Sequence, residues 1–375
     1  MLQRLRGAPL AVLVAVAACK SPPPKPPPPP AVPHVLVELA AGSEHACART
    51  ESGKVYCWGS NGHGQVGNAS TAKQATPTLV EGLEEVVSIT AGARHTCAIV
   101  KGGSIVCWGS NQHGQIGDGT SENRSAPTKV LDSGPFVQVS AGGDQTCARK
   151  KDGAVLCWGE LQPGSSQKAP NPIIGVPPAE EISVGLAHAC ARAQDGSVRC
   201  WGENYKRQLG HTKKSEEKGV AQPIADLVAG QLALGREHSC ARVSAGEVFC
   251  WGGGLNCVPG EPQPGRIVAV KPAKVAGMEN VLQVAAGGEL ACAIFASGQV
   301  GCTKLNDKDK SCVTEQVAPA TIYGVRVLAV GDGFGCAVIK GGVEAYCWGS
   351  GQSGQLGDGK MEDHKEPEPI KHPTQ

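Results

Sequence analysis

Hydrophobic residues in this chain come in short bursts, and no sustained stripe at 3.6-residue spacing runs through it. The bursts recur in a fixed order. An apolar segment runs into a Gly: "VLVELAAG", "VVSITAG", "FVQVSAG", "EEISVG", "QLALG", "VLQVAAG" and "VRVLAVG". Two short segments follow, each bearing a Cys, as in "GSEHACARTESGKVYCWG" at 42–59. After a loop comes a Pro-led segment: "TPTLV", "APTKV", "NPIIG", "QPIAD", "KPAKV", "APATI" and "EPEPI". Pro is tolerated mainly at a sheet edge, so this fourth strand is expected outermost. First cysteines stand at 47, 97, 147, 190, 240, 292 and 336, with spacings from 43 (147 to 190) to 52 (240 to 292). Four-stranded propeller blades recur at such periods. Seven units close into a ring with only short, protected edges. The predicted fold is all-β: a seven-bladed β-propeller of four-stranded antiparallel blades.

The central hairpin of each unit sets its own register. Cys47 and Cys57 are ten apart, so the turn centres on Ser52 and the loop is Glu51-Ser52-Gly53. A three-residue hairpin loop ends in a left-handed residue, which Gly tolerates best. Gly53, Gly103, Gly153, Gly196, Gly246 and Gly298 stand at that place. The two cysteines then oppose each other at a non-hydrogen-bonded pair, Cα atoms about 4.5 Å apart, within reach of a disulfide. The predicted pairs are Cys47–Cys57, Cys97–Cys107, Cys147–Cys157, Cys190–Cys200, Cys240–Cys250, Cys292–Cys302 and Cys336–Cys347. The last is spaced by eleven and implies a longer loop around 340–342. Of seventeen cysteines these take fourteen, leaving Cys19, Cys257 and Cys312. Cys257 and Cys312 lie in long loops of neighbouring units and form a candidate inter-blade pair; spacing alone does not fix that connection.

Composition changes the picture at the N-terminus. "MLQRLRGAPLAVLVAVAAC" has a basic start at Arg4 and Arg6, an apolar run from Leu10 to Ala18, then Cys19. The run is shorter than the roughly 20 residues of a spanning helix. Ala17-Ala18-Cys19 resembles the lipobox of bacterial lipoproteins, which implies cleavage before Cys19 and acylation of its thiol. The alternative is an ordinary secretory signal cleaved nearby. Lys20, where Asp would suggest inner-membrane retention, points to the outer membrane. Nine prolines follow in "SPPPKPPPPPAVP", a polyproline II stalk of roughly 40 Å. The expected organisation is a signal peptide at 1–18, a lipidated Cys with Pro-rich linker at 19–33, and the propeller at 34–375. Export brings the hairpin thiols into an oxidising compartment, where disulfides persist. Lys and Arg total 35 against 34 acidic residues, so no long-range field draws nucleic acid.

Candidate chemistry thins out on inspection. His45, His95, His188 and His238 each precede a Cys by two, and H-x-C offers two metal ligands. Gln145, Leu290 and Phe334 fill that place elsewhere, and disulfide sulfurs do not ligate. Packing histidines are the better reading. C-x-x-C is absent, and with it redox chemistry. Trp58, Trp108, Trp158, Trp201, Trp251 and Trp348 follow the second Cys, where the sixth unit has Thr303. They suit packing between blades; solvent-facing rings would instead mark glycan binding. "GSNGHGQVG" and its kin lack the phosphate-loop Lys and a following helix, so tight turns account for their glycines.

The pattern V-x-x-V-x-A-G-x-x-H-[TS]-C-A, then G-x-V-x-C-W-G-x-N-x-x-G-Q-L-G, resembles the repeats of the regulator of chromosome condensation family over residues 35–372. The resemblance implies a seven-bladed propeller that binds protein partners through its loops. That family's eukaryotic founder promotes nucleotide exchange on a small nuclear GTPase and binds chromatin; a bacterial-type anchor, disulfides and near-zero charge argue against that role here. Units three, five and six lack the G-Q-x-G loop, as in "ELQPGSSQKAPNP". The expected function is a non-catalytic, membrane-tethered protein-interaction module of the bacterial envelope, with no cofactor, metal or nucleic acid. Inhibition of a secreted enzyme, glycan recognition and exchange-factor-like regulation are the alternatives. No recurring carboxylate pair or Ser-His-Asp motif supports an enzyme.

Overall fold

Alternation, Gly turns and edge prolines place the strands. In the first unit Leu36–Ala41, His45–Thr50, Val55–Gly59 and Gln74–Leu79 pair in chain order as one antiparallel sheet. The structure, a computed structural model, describes residues 34–131, 134–211, 220–253, 269–305, 312–316, 322–339 and 341–373. The expected signal peptide, Cys19 and the Pro-rich stretch lie outside the described residues. No helix among the described residues is long and apolar enough to cross a membrane.

Five sheets are separate four-stranded blades, belonging to units one, two, three, six and seven. Units four and five share one seven-stranded sheet, which departs from the expected seven separate blades. The cause is a single strand, Gln222–Leu234. Its start pairs with the third strand of unit four (Arg199↔Pro223), and its end is the innermost strand of unit five (Ala233↔Cys240). Elsewhere a turn separates these elements, as at Gly82, which is left-handed at φ 70°. "QPIADLVAGQLAL" has no such turn; Asp226 bends it at φ 60° without ending the strand.

The hairpins have the register their spacing implies. Cys47 faces Cys57, the Thr50 amide donates to the Lys54 carbonyl at 2.9 Å, and Gly53 is left-handed at φ 80°. Outer strands carry their Pro at a break in pairing: Thr78 faces Cys57 and Gln74 faces Gly59, with Pro77 in the irregular stretch between. Unit six differs from expectation. Its outer strand is Cys312–Gln316, and of the expected "APATI" only Ile322 is described, outside any strand. The third strand there lacks the Trp-Gly that ends its counterparts, so it continues to Leu305 and pairs without a break, Thr303↔Thr314 through Leu305↔Cys312.

Innermost strands of successive units neighbour one another around an axis, and Val325–Val330 neighbours Leu36–Ala41 to complete the circuit. Closure needs no strand exchange, because His364–Pro369 pairs with Ala345–Gly349 of its own unit. Across the seam the Leu36 amide donates to the Gly342 carbonyl at 2.8 Å and the His34 amide to the Pro373 carbonyl at 3.3 Å. The core lies between blades: Val55 and Val66 of unit one pack with Val86, Ile89 and Trp108 of unit two.

Candidate functional site

Within each central hairpin the two sulfurs are bonded. S–S distances run from 2.01 Å (Cys190–Cys200) to 2.09 Å (Cys97–Cys107), through Cys47–Cys57, Cys147–Cys157, Cys240–Cys250, Cys292–Cys302 and Cys336–Cys347. Cys257 and the side chain of Cys312 lie outside the described residues.

Three of the four histidines meet a hydroxyl of the next unit; at the place that corresponds for His238 the next unit has Ala291. His45 Nε2 is 2.9 Å from Thr96 Oγ1 of the next unit, His95 Nε2 2.8 Å from Thr146 Oγ1, and His188 Nε2 2.9 Å from Ser239 Oγ. Each hydroxyl gives its one proton to a carbonyl of the preceding unit: Thr96 to Gln65, Thr146 to Gln115, Ser239 to Gln208. The imidazole Nε2 is therefore the donor to the hydroxyl, which fixes the tautomer. The same Gln carbonyls accept the indole N–H of Trp108, Trp158 and Trp251, and Gln355 accepts that of Trp58 across the seam. Burial pushes His45 and His238 down to about 4. Burial first, then the neighbouring imidazole, pushes His95 and His188 down to about 3. All four are neutral near pH 7.

The motif's glycines make room for these rings. A Cβ on Gly42 would meet His45 Cε1 at 2.4 Å, and one on Gly67 would meet Trp108 Nε1 at 2.7 Å. Unit three has no G-Q-x-G carbonyl to offer. Correspondingly the buried Trp201 N–H has no partner. All six indoles are buried, five of them at 2% exposure or less, so they form no surface platform for sugars.

In units one, two and four the loop after the third strand is held by one Asn. Asn61 Oδ1 accepts the Val66 amide, and its Nδ2 donates to Asn68, Ser70 and Ala72. Asn111 and Asn204 do the same for Ile116 and Leu209. These loops share one face with the turns between the first two strands, as the Ser60 amide donating to the Glu44 carbonyl shows. Between the inner turns runs a narrow cavity of about 100 Å³ lined largely by Gly and Ala, with Arg236 and Asp332 paired at its rim. That is well below the roughly 300–1,000 Å³ of a small-molecule pocket.

A second belt was not singled out from sequence. Gln138 bonds both the amide and carbonyl of Ile182 in the next unit, Gln231 does so with Val284, and Glu181 accepts the Leu232 amide. Glu38 pairs with Arg49 at 2.7 Å and accepts from Ser88 and the Ile89 amide of the next unit. The signal was present: a polar residue at one fixed place in six of the seven innermost strands, with Val327 there in the seventh. Also unrecognised from sequence was a group on the loop face, His113, Asp144 and Glu160, whose ligand atoms lie within 4.8 Å of one another. It is assembled from three separated points of the chain.

Blades stitched to their neighbours by a repeated His–hydroxyl–carbonyl–indole chain define a class: a β-propeller whose internal repeats share one inter-blade motif. The RCC1-like domain profile matches residues 17–293, more than half of the chain, and the regulator of chromosome condensation (RCC1) repeat matches 344–375. The chain belongs to the RCC1-like domain family. Over 49 residues, 13% of this chain, it is 53% identical to the Homo sapiens E3 ubiquitin-protein ligase HERC2, of which that stretch is 1%. Its fold is similar to that of Prp20p from Saccharomyces cerevisiae, with TM-score 0.76 and 20% identity, covering 91% of this chain and 88% of that one. It is also similar to the ectodomain of the Arabidopsis thaliana receptor kinase ACR4, with TM-score 0.53 and 22% identity, covering 84% and 96%.

Proposed function

We propose that this chain is a non-catalytic protein-interaction module of the bacterial cell envelope, lipid-anchored through Cys19 at the outer membrane. Its propeller stands off the membrane on the Pro-rich stalk and binds a partner protein through the loop face. Units four and five count as two blades sharing one strand, which makes the ring seven-bladed. One observation carries the reading. The repeated His, Thr, Trp and Gln groups are turned into inter-blade contacts, while the loops outside that network differ from unit to unit and expose large side chains. Tyr205 is 78% exposed and Met361 48%. Irregular loops on a rigid scaffold are where recognition concentrates. The Prp20p structure is described together with binding properties to Gsp1p and histones, and Kap60 is bound in another structure of that yeast protein. Both support protein binding as a use of this fold. The ACR4 ectodomain supports its use outside a membrane.

The test is a pull-down from envelope extract with the mature chain beside a Tyr205→Ala/Met361→Ala variant. A partner held by the first and lost by the second is expected. Equal recovery overturns binding by this face. Mass spectrometry of the mature N-terminus should find acylated Cys19, and a free amine on another residue defeats the anchor.

A further inference from the structure

We propose that the junction of units two and three on the loop face binds a divalent transition-metal ion of the zinc class through His113, Asp144 and Glu160. His113 comes from the loop after the third strand of unit two. Asp144 sits in the first turn of unit three, and Glu160 directly after that unit's third strand. His113 Nδ1 is 3.8 Å from Glu160 Oε2, and all three ligand atoms fall within 4.8 Å. Around a tetrahedral ion with bonds of about 2.0–2.2 Å, donor atoms stand roughly 3.3–3.6 Å apart. Closing the group takes about 1 Å, within reach of side-chain rotation, since the His113 and Glu160 side chains are 37% and 27% exposed.

Two further features set the group apart from surface carboxylates. Gln115, fully buried, donates Nε2 to Asp144 Oδ1 at 2.9 Å and so orients that ligand. The other repeats serve as internal controls. Glu160, Ser110 and Gly253 each donate their amide to the residue corresponding to Asp144, namely Asp144, Arg94 and Glu237. At the junction of units one and two, His63 therefore matches Arg94 and Ser110. At that of units four and five, Lys206 matches Glu237 and Gly253, and a Cβ on Gly253 would meet the Lys206 side chain. Of these three junctions, one joins an imidazole to two carboxylates. No Lys or Arg among the described residues forms an ion pair with Asp144 or Glu160. Imidazole plus carboxylates suits zinc-class ions, and three protein ligands leave a position open to water or a donor from another molecule.

The probe is Zn²⁺ itself, titrated calorimetrically into the metal-stripped mature chain, so the outcome is separate from partner binding. One ion per chain is expected. His113→Ala and the near-isosteric Glu160→Gln should each weaken binding by at least about 10-fold, whereas His63→Ala should leave it unchanged. Thermal melts of each variant establish that it is folded. Failure of the wild-type chain to bind Zn²⁺, or equal affinity in folded Glu160→Gln, overturns the proposal.

Discussion

A buried histidine two residues before a Cys reads in sequence as a strand residue on the same face as the sulfur, and that much was legible from alternation. Its partner was not, because Thr96 lies 51 residues beyond His45 and only the ring brings them together. The neutral state of these residues has a pH consequence. The unfolded chain takes up protons near pH 6.5, whereas His45 and His238 resist until about 4, and His95 and His188 until about 3. Below pH 6.5 the unfolded state thus binds more protons, so this stability is present in full above that pH. It is lost progressively as pH falls toward 3–4. Each histidine should add about 1.4 kcal/mol per pH unit to the slope within that window. Urea unfolding of the oxidised protein between pH 7 and 4 measures it, and His95→Gln should make the slope shallower; an unchanged slope counts against neutral burial. Thr96→Val removes the acceptor of His45 and a donor to Gln65, and should cost about 1–3 kcal/mol at pH 7.

At the scale of elements, the disulfide hairpin was the most legible feature, because loop length, Gly position and Cys spacing are all local. Cys97→Ala/Cys107→Ala should lower stability by about 2–3 kcal/mol from loop-closure entropy, read as a lower melting midpoint without reductant. Alkylation of the denatured, unreduced protein should label none of the fourteen hairpin thiols. Labelling of most of them would show that the pairs are not bonded in the protein. Less legible were Gln222–Leu234 and Cys312–Gln316. In the first a missing turn signal fuses two strands. In the second the loss of Trp-Gly lengthens a hairpin, so the Pro that marks outer strands elsewhere was a misleading cue.

At the scale of the molecule the ring is over-determined near its axis, where backbones approach too closely for side chains. A Cβ on Gly42 would sit 2.4 Å from the Gly92 carbonyl oxygen and equally near the His45 ring, and one on Gly331 would sit 2.5 Å from the Gly42 oxygen. Neither neighbour can retreat without moving a blade. Gly42→Ala should therefore destabilise by at least about 1–3 kcal/mol. Gly62→Ala, on the loop face with nothing within 4 Å of its Cβ, should stay within about 0.5 kcal/mol. Parallel melts of the two variants check the contrast, and similar midpoints would contradict it.

What the sequence determined by itself was local and periodic: the repeat, the hairpin registers, the edge prolines and the family pattern "V-x-C-W-G-x-N". Each follows from backbone rules acting over about ten residues. The tertiary structure alone decided which blade fuses with which and how the seam closes. It also decided what each repeated polar group faces, and that His113, Asp144 and Glu160 meet. Those outcomes depend on contacts between consecutive units, some 50 residues apart along the chain, and no spacing within one unit encodes them.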